Sequence, residues 1–98
     1  PTMPLEEIFA EKMHALSSRA APRDLYDIAF LLKNNVQLDS SLVEKKLAYY
    51  GEKFDKIKIE KNIDEMRINW KRDLERLLKP LPEYEKTAHQ VKQALHAV

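Results

Sequence analysis

LEEIFAEKMHALSSRAAPRDLYDIAFLL, residues 5–32, reads as two helices that meet at Pro22. At ~100° per residue the first helix gathers Leu5, Ile8, Phe9, Ala15 and Leu16 into one apolar stripe. Lys12 falls in the middle of that stripe, and Arg19 follows on the same line. In the second helix Leu25, Ile28, Ala29 and Leu32 face one way, and Leu31 widens that face. Asp24 and Asp27 fit the narrow sector beside Leu31. A charge on an apolar face is costly unless it is paired or has a task. Two readings are open. Lys and Arg side chains can bury their stems and keep their heads wet, and an Arg–Asp pair can lock two helices together. Alternatively, the four charges share a functional site.

The chain has 98 residues, room for one domain with one modest core. It is 44% hydrophobic and 34% charged, which fits a folded domain and not a disordered tail. One glycine leaves little scope for tight β-turns and favours helices. The lack of cysteine excludes disulfides and thiolate metal sites, and is compatible with a reducing cytoplasm. A net charge of +1 exerts no global pull on nucleic acid, so any such binding must come from local patches. No apolar run approaches the ~20 residues that span a bilayer, and no signal peptide is visible, so no membrane association is expected.

Outward from the central stretch, Pro1-Thr2-Met3-Pro4 reads as an extended lead-in, with Thr2 or Pro4 opening the first helix. Glu6 and Glu7 suit its positive end, and it should run to about Ser18. Glu7 and Glu11 repel weakly one turn apart, which calls for a cationic neighbour or a solvated face. Ser17–Ala21 is the hinge. Pro22 suits the first turn of the next helix, which should end near Asn34-Asn35. A third helix begins at Asp39-Ser40-Ser41, where Ser41 and Glu44 form a capping-box pattern. Its stripe is Leu42, Val43, Leu47 and Tyr50, and Gly51 stands where a left-handed C′ residue is wanted. Lys45-Lys46 reads as a solvated face.

Lys56-Ile57-Lys58-Ile59-Glu60 alternates like a strand, but no second strand exists to pair with it. Phe54–Glu60 is therefore expected as a short helix. Asn62 and Glu65 repeat the cap logic and should open the longest helix, with Ile63, Met66, Trp70, Leu74 and Leu77 inward. Trp70 reads as a core residue. Pro80 and Pro82 bracket a sharp turn before a last helix that buries Tyr84, Ala88, Val91 and Leu95. The expectation is an all-α fold, one small bundle of about five main helices.

His14, His89 and His96 lack metal-ligand spacing, and no nucleophile elbow, P-loop or dinucleotide fingerprint occurs. His14 lies roughly opposite the Lys12 stripe and reads as a surface residue. What remains is Lys12, Arg19 and Arg23 with Asp24 and Asp27. These charge types suit phosphoryl or nucleotidyl transfer, which needs cations on the phosphates, carboxylates on metal or the attacking hydroxyl, and rigid positioning. A lysine fixed on a helix is a pre-organised point charge for phosphate oxygens. The closely spaced carboxylate pair that carries Mg²⁺ in such enzymes normally sits on a sheet, and nothing here supplies one.

The strings EExxAEKxxALxxR and PRDLYDxxxLL resemble the C-terminal signature of the AbiEii/AbiGii-type toxin family, nucleotidyltransferases of toxin–antitoxin and phage-abortive systems. The matching residues are Glu7, Ala10, Glu11, Lys12, Ala15, Leu16 and Arg19, then Arg23, Asp24, Tyr26 and Asp27. The dense match covers about the first third of the chain. The resemblance implies that residues 1–98 are the C-terminal helical domain of a larger two-part, cytoplasmic nucleotidyltransferase. Its upstream α/β half would carry a Gly-Ser motif and an Asp-x-Asp pair. It assigns Lys12 to the nucleotide phosphates and Asp27 to a third catalytic carboxylate, with Arg19, Arg23, Asp24 and Glu11 in support. Mg²⁺ and a nucleoside triphosphate are expected for the intact protein and no cofactor for this part, which alone should be inactive. The implied partners are the upstream half, an acceptor such as tRNA, and a cognate antitoxin. The contrasting reading is a non-catalytic helical module that binds protein or RNA, its buried ion pairs purely structural.

Overall fold

The computed structural model describes residues 4–19 and 21–98. The expected lead-in over Pro1-Thr2-Met3, with Thr2 as a helix start, and Ala20 of the hinge lie outside the described residues. Six helices and no strand occur among those described: α1 (Leu5–Ser18), α2 (Pro22–Lys33), α3 (Ser40–Tyr49), α4 (Lys56–Glu65), α5 (Trp70–Leu74) and α6 (Tyr84–His96). The all-α expectation holds. None of these helices is long and apolar enough to cross a membrane.

The first two helices are the hub. α1 packs against α2, α3 and α4, while α2 packs against α5 and α6. The core is continuous across all of them, from Phe9, Met13 and Leu16 on α1 through Leu25 and Ile28 on α2. It continues through Val43 and Leu47 on α3, Ile59 and Ile63 on α4, Trp70 on α5, and Val91 and Leu95 on α6. Each fully buried side chain of this kind contributes about 1.5–3 kcal/mol relative to exposure.

The buried arc of α1 differs from the expected stripe. It comprises Phe9, Ala10, Met13, Leu16 and Ser17, whereas Leu5 is exposed and Lys12 lies at the edge and not in the middle. Three neighbours press on this helix, so its arc is centred on Met13, which the simple stripe omits.

Helix ends follow local rules, with one correction. Pro4 stands at the cap position of α1, and its carbonyl accepts from the Glu7 and Ile8 amides. Asn35, at φ 64°, and Gly51, at φ 74°, both end helices in the left-handed conformation. In each, a pair of amide bonds reaches back into the last turn, with Val36 to Leu31 and Glu52 to Leu47 spanning more of the chain than their companions. α3, however, is capped by Asp39, whose carboxylate accepts from the Leu42 amide at 3.2 Å, and not by Ser41 and Glu44.

The segment after Gly51 is divided differently from expectation. Asp55 caps α4 by accepting from the Lys58 amide, and the helix runs straight through Asn62. The alternating isoleucines are resolved by the helical period: Ile59 is fully buried and Ile57 exposed. The expected longest helix is instead broken at 66–69, where tight bonds link Met66 to Ile63 and Asn69 to Met66. The five-residue α5 follows. Trp70 and Leu74 stay buried, but Leu77, expected inward, is exposed. The Trp70 indole donates to the Pro82 carbonyl at 2.8 Å and so holds the turn before α6. α6 buries Tyr84, Ala88, Val91 and Leu95 as expected.

Candidate active site at the corner of the first two helices

The corner is built by helix-end chemistry. α1 stops at Ser18, and Arg19 is fully extended at φ −156°, ψ 160°. Pro22 takes the first turn of α2, where its missing N–H costs nothing. Asp24 then lies in that first turn, where the helix dipole favours a carboxylate. From α4, the Asn62 amide donates to the carbonyls of Leu16 at 2.9 Å and Ser17 at 3.1 Å. This clamp satisfies carbonyls that the end of α1 leaves without helical partners, and it fixes the angle at which the chain leaves for α2.

The structure brings four of the sequence-predicted residues together at this corner. The Lys12 ammonium is 2.8 Å from Asp27 Oδ2 and 3.8 Å from Asp24 Oδ1. The Arg19 Nε donates to the second oxygen of Asp24 at 3.2 Å. Exposure divides the two carboxylates: the Asp24 side chain is 5% exposed, Asp27 33% and Lys12 35%. Asp24 is thus enclosed between two cations. Asp27 shares only Lys12, and its far side opens on a concavity of about 210 Å³ lined by Arg23, Tyr26 and the leucines Leu74, Leu77 and Leu78. Arg23 is exposed at that rim and has no ion-pair partner among the described residues.

Glu11 does not join this cluster. It points to α3, where Lys46 Nζ lies 2.9 Å from Glu11 and 3.6 Å from Glu7. Lys46 is therefore the cationic neighbour that Glu7 and Glu11 call for, and not part of a solvated face. The hydrogen bond to Glu11, reinforced by the charges of both glutamates, outweighs desolvation and raises the Lys46 pKa above its usual 10.5. His14, expected at the surface, is half-buried and stacks on Tyr50 with ring centroids 4.0 Å apart.

Two roles lie outside the sequence reading. Asn62 has the pattern of a cap for its own helix, and nothing local reveals that its amide serves α1. Tyr26 belongs to the family-like string but has no role assigned there, although Arg23, Tyr26, Asp27 and Phe30 recur at three–four spacing and so share one face.

Chemically, the corner presents an ammonium held at a fixed position by two carboxylates, one of them open to a cavity. An incoming phosphate could replace Asp27 as the partner of Lys12, while Asp24, itself held by Arg19, keeps the lysine in place. No group of three or more His, Asp or Glu side chains able to hold a metal gathers among the described residues. The space between Asp24 and Asp27 is taken by the Lys12 ammonium. These residues by themselves do not fit a metal ion.

A protein-family model described as "Nucleotidyl transferase AbiEii toxin, Type IV TA system" matches residues 1–97. No curated protein and no solved structure matches the chain.

Proposed function

This chain belongs to the AbiEii family of nucleotidyl transferase toxins of type IV toxin–antitoxin systems, and on that premise we propose that its α1–α2 corner is the helical side of the transferase active site. Lys12 binds the triphosphate of the incoming nucleotide and neutralises the charge that builds on its oxygens during transfer. Asp27 is released from Lys12 as phosphate enters, and accepts the proton of the attacking hydroxyl. Asp24 is a positioning residue that keeps the lysine head from following its new partner, and Arg19 acts through Asp24, which it holds in place. Arg23, at the rim, attracts the polyanion. The observation that carries this reading is the Lys12–Asp27 contact at 2.8 Å on the edge of an open concavity. A pair serving only as glue gains nothing from an open face beside one of its members.

Mg²⁺ supplies charge neutralisation and alignment in nucleotidyl transfer, and since the residues here do not fit it, no step is assigned to it on this chain. We place the metal-holding carboxylates, with the Gly-Ser motif, on an upstream α/β half of the same cytoplasmic protein, for which residues 1–98 form the helical complement. The helical part alone is then inactive. The acceptor is an RNA such as tRNA, and a cognate antitoxin counteracts the toxin.

The test belongs to the complete protein. Lys12→Ala and Asp27→Ala should each abolish nucleotide transfer, followed with a labelled nucleoside triphosphate, and leave the thermal midpoint within a few degrees. Survival of activity in either variant, or global unfolding by either, would return the charges to a structural role.

A further inference from the structure

A second concavity, of about 520 Å³, adjoins the first, and Tyr26 lines both. Its volume falls in the range of ligand sites. One wall is the outer face of α2, with Tyr26, Phe30, Lys33 and Asn34; the other carries Pro82 and Gln90. Phe30 is 53% exposed, a large aromatic that the core does not use. Its ring centroid is 6.4 Å from that of Tyr26, with the planes tilted by 31°. Lys33, like Arg23, has no ion-pair partner among the described residues. The Gln90 amide reaches only the Ala29 carbonyl, at 3.5 Å, and the Asn34 amide nitrogen is engaged with the Phe30 carbonyl, leaving its oxygen available. Along α2 the face therefore runs Arg23, Tyr26, Asp27, Phe30, Lys33: cation, aromatic, carboxylate, aromatic, cation.

We propose that this strip binds the unpaired end of a single-stranded nucleic acid, the acceptor in the transfer reaction. The inference rests on the reading of Lys12 and Asp27 as the reacting pair. Aromatic faces that stack on any base, flanked by cations for the backbone, are the chemistry of single-strand binding. The available Asn34 side-chain oxygen and the weakly held Gln90 amide can add hydrogen bonds to base edges. Arg23 and Lys33 are roughly 15 Å apart along the helix, room for a few nucleotides. The strip passes Asp27, the group assigned to the attacking hydroxyl, and continues through Phe30 to Lys33, leaving aside Lys12, which lines neither concavity. That direction selects the acceptor strand over the base of the incoming nucleotide. An apolar protein partner would have to bury both unpaired cations.

The experiment measures binding of short fluorescein-labelled oligouridylate and oligoadenylate strands to the complete protein by anisotropy, without turnover. Phe30→Ala should weaken strand binding roughly tenfold, and Phe30→Trp should restore it. Because Phe30 is exposed, both variants should keep the wild-type thermal midpoint. Lys33→Gln should lower the slope of log affinity against log salt by about 0.7. Strand affinity unchanged by Phe30→Ala overturns the proposal. So does displacement of the strand by a free nucleoside triphosphate with equal loss of nucleotide affinity in Phe30→Ala, which would assign the groove to the donor base. Lys12→Ala separates the two readings. If it retains transfer, the active-site assignment falls, and strand binding along α2 is judged on the anisotropy alone.

Discussion

Asp24 and Asp27 lie one turn apart on the same helix and share one lysine, yet their surroundings give them different work. Both oxygens of Asp24 are engaged by cations inside the corner, and its side chain is almost fully buried. Replacing it by asparagine removes the anion that Arg19 and Lys12 share and leaves an uncharged amide buried in its place. Asp24→Asn should lower the free energy of unfolding by about 1–3 kcal/mol. Asp27 faces an open concavity, and a partly solvated pair of that kind contributes about 0–1 kcal/mol. Asp27→Asn should therefore be close to neutral in urea denaturation while abolishing transfer. Equal stability losses at the two positions would mark both carboxylates as structural. The helical period placed Lys12 on the apolar stripe of the first helix and Asp24 and Asp27 in one sector of the second, with a shared site as one of two open readings. Which carboxylate would stand beside an open concavity was not legible, because that concavity is lined by Leu74, Leu77 and Leu78, remote in sequence.

Helices here are held at their ends by side chains from elsewhere in the fold as well as by their own caps. Asp39 and Asp55 are local caps of the ordinary kind. Asn62 acts across the fold, with two bonds to the last carbonyls of α1. Asn62→Ala should cost about 1–2 kcal/mol, one net hydrogen bond or slightly more for half-buried acceptors. Loosening the exit of α1 should also raise the KM for the nucleotide, since Arg19 begins where the clamp ends. Chemical denaturation and steady-state kinetics on the same variant check both parts. The misreading of Asn62 as a helix start has a physical cause. Asn before an apolar run is a cap signal only if no helix already precedes it, and Asp55 had started one.

Across the whole molecule, two groups link stability to pH. Lys46 bridges α3 to Glu7 and Glu11 of α1, and its folded pKa is raised above 10.5. Tyr84 donates to the Ile63 carbonyl between α6 and α4, and its pKa is raised above 10.0. Burial is the main cause there, and the Asp64 charge adds to it. In both cases the folded state holds its proton more tightly than the unfolded chain. Their contributions are complete below about pH 10 and are lost as pH rises through the folded values. The thermal midpoint should be insensitive to these groups from neutral pH to about pH 9.5 and fall above pH 10. Lys46→Met should lessen that fall. A midpoint level through pH 11.5 in the wild type would contradict the assignment.

By itself, the amino-acid sequence determined what the helical period and end chemistry control. Those are the corner at Pro22, the end of α3 at Gly51, the inward face of α6, and the placing of Asp24 and Asp27 on one sector of α2. All of these depend on residues within a few turns of one another. The tertiary structure alone decided the quantities that need a second element. It centred the buried arc of α1 on Met13, because three helices press on it. It turned Glu11 away to Lys46, enclosed Asp24 and left Asp27 open. It also set Tyr26 and Phe30 along a groove whose far wall, Pro82 and Gln90, lies more than fifty residues away in the chain. A residue's face on its helix is a local property; what that face meets is settled only when the helices pack.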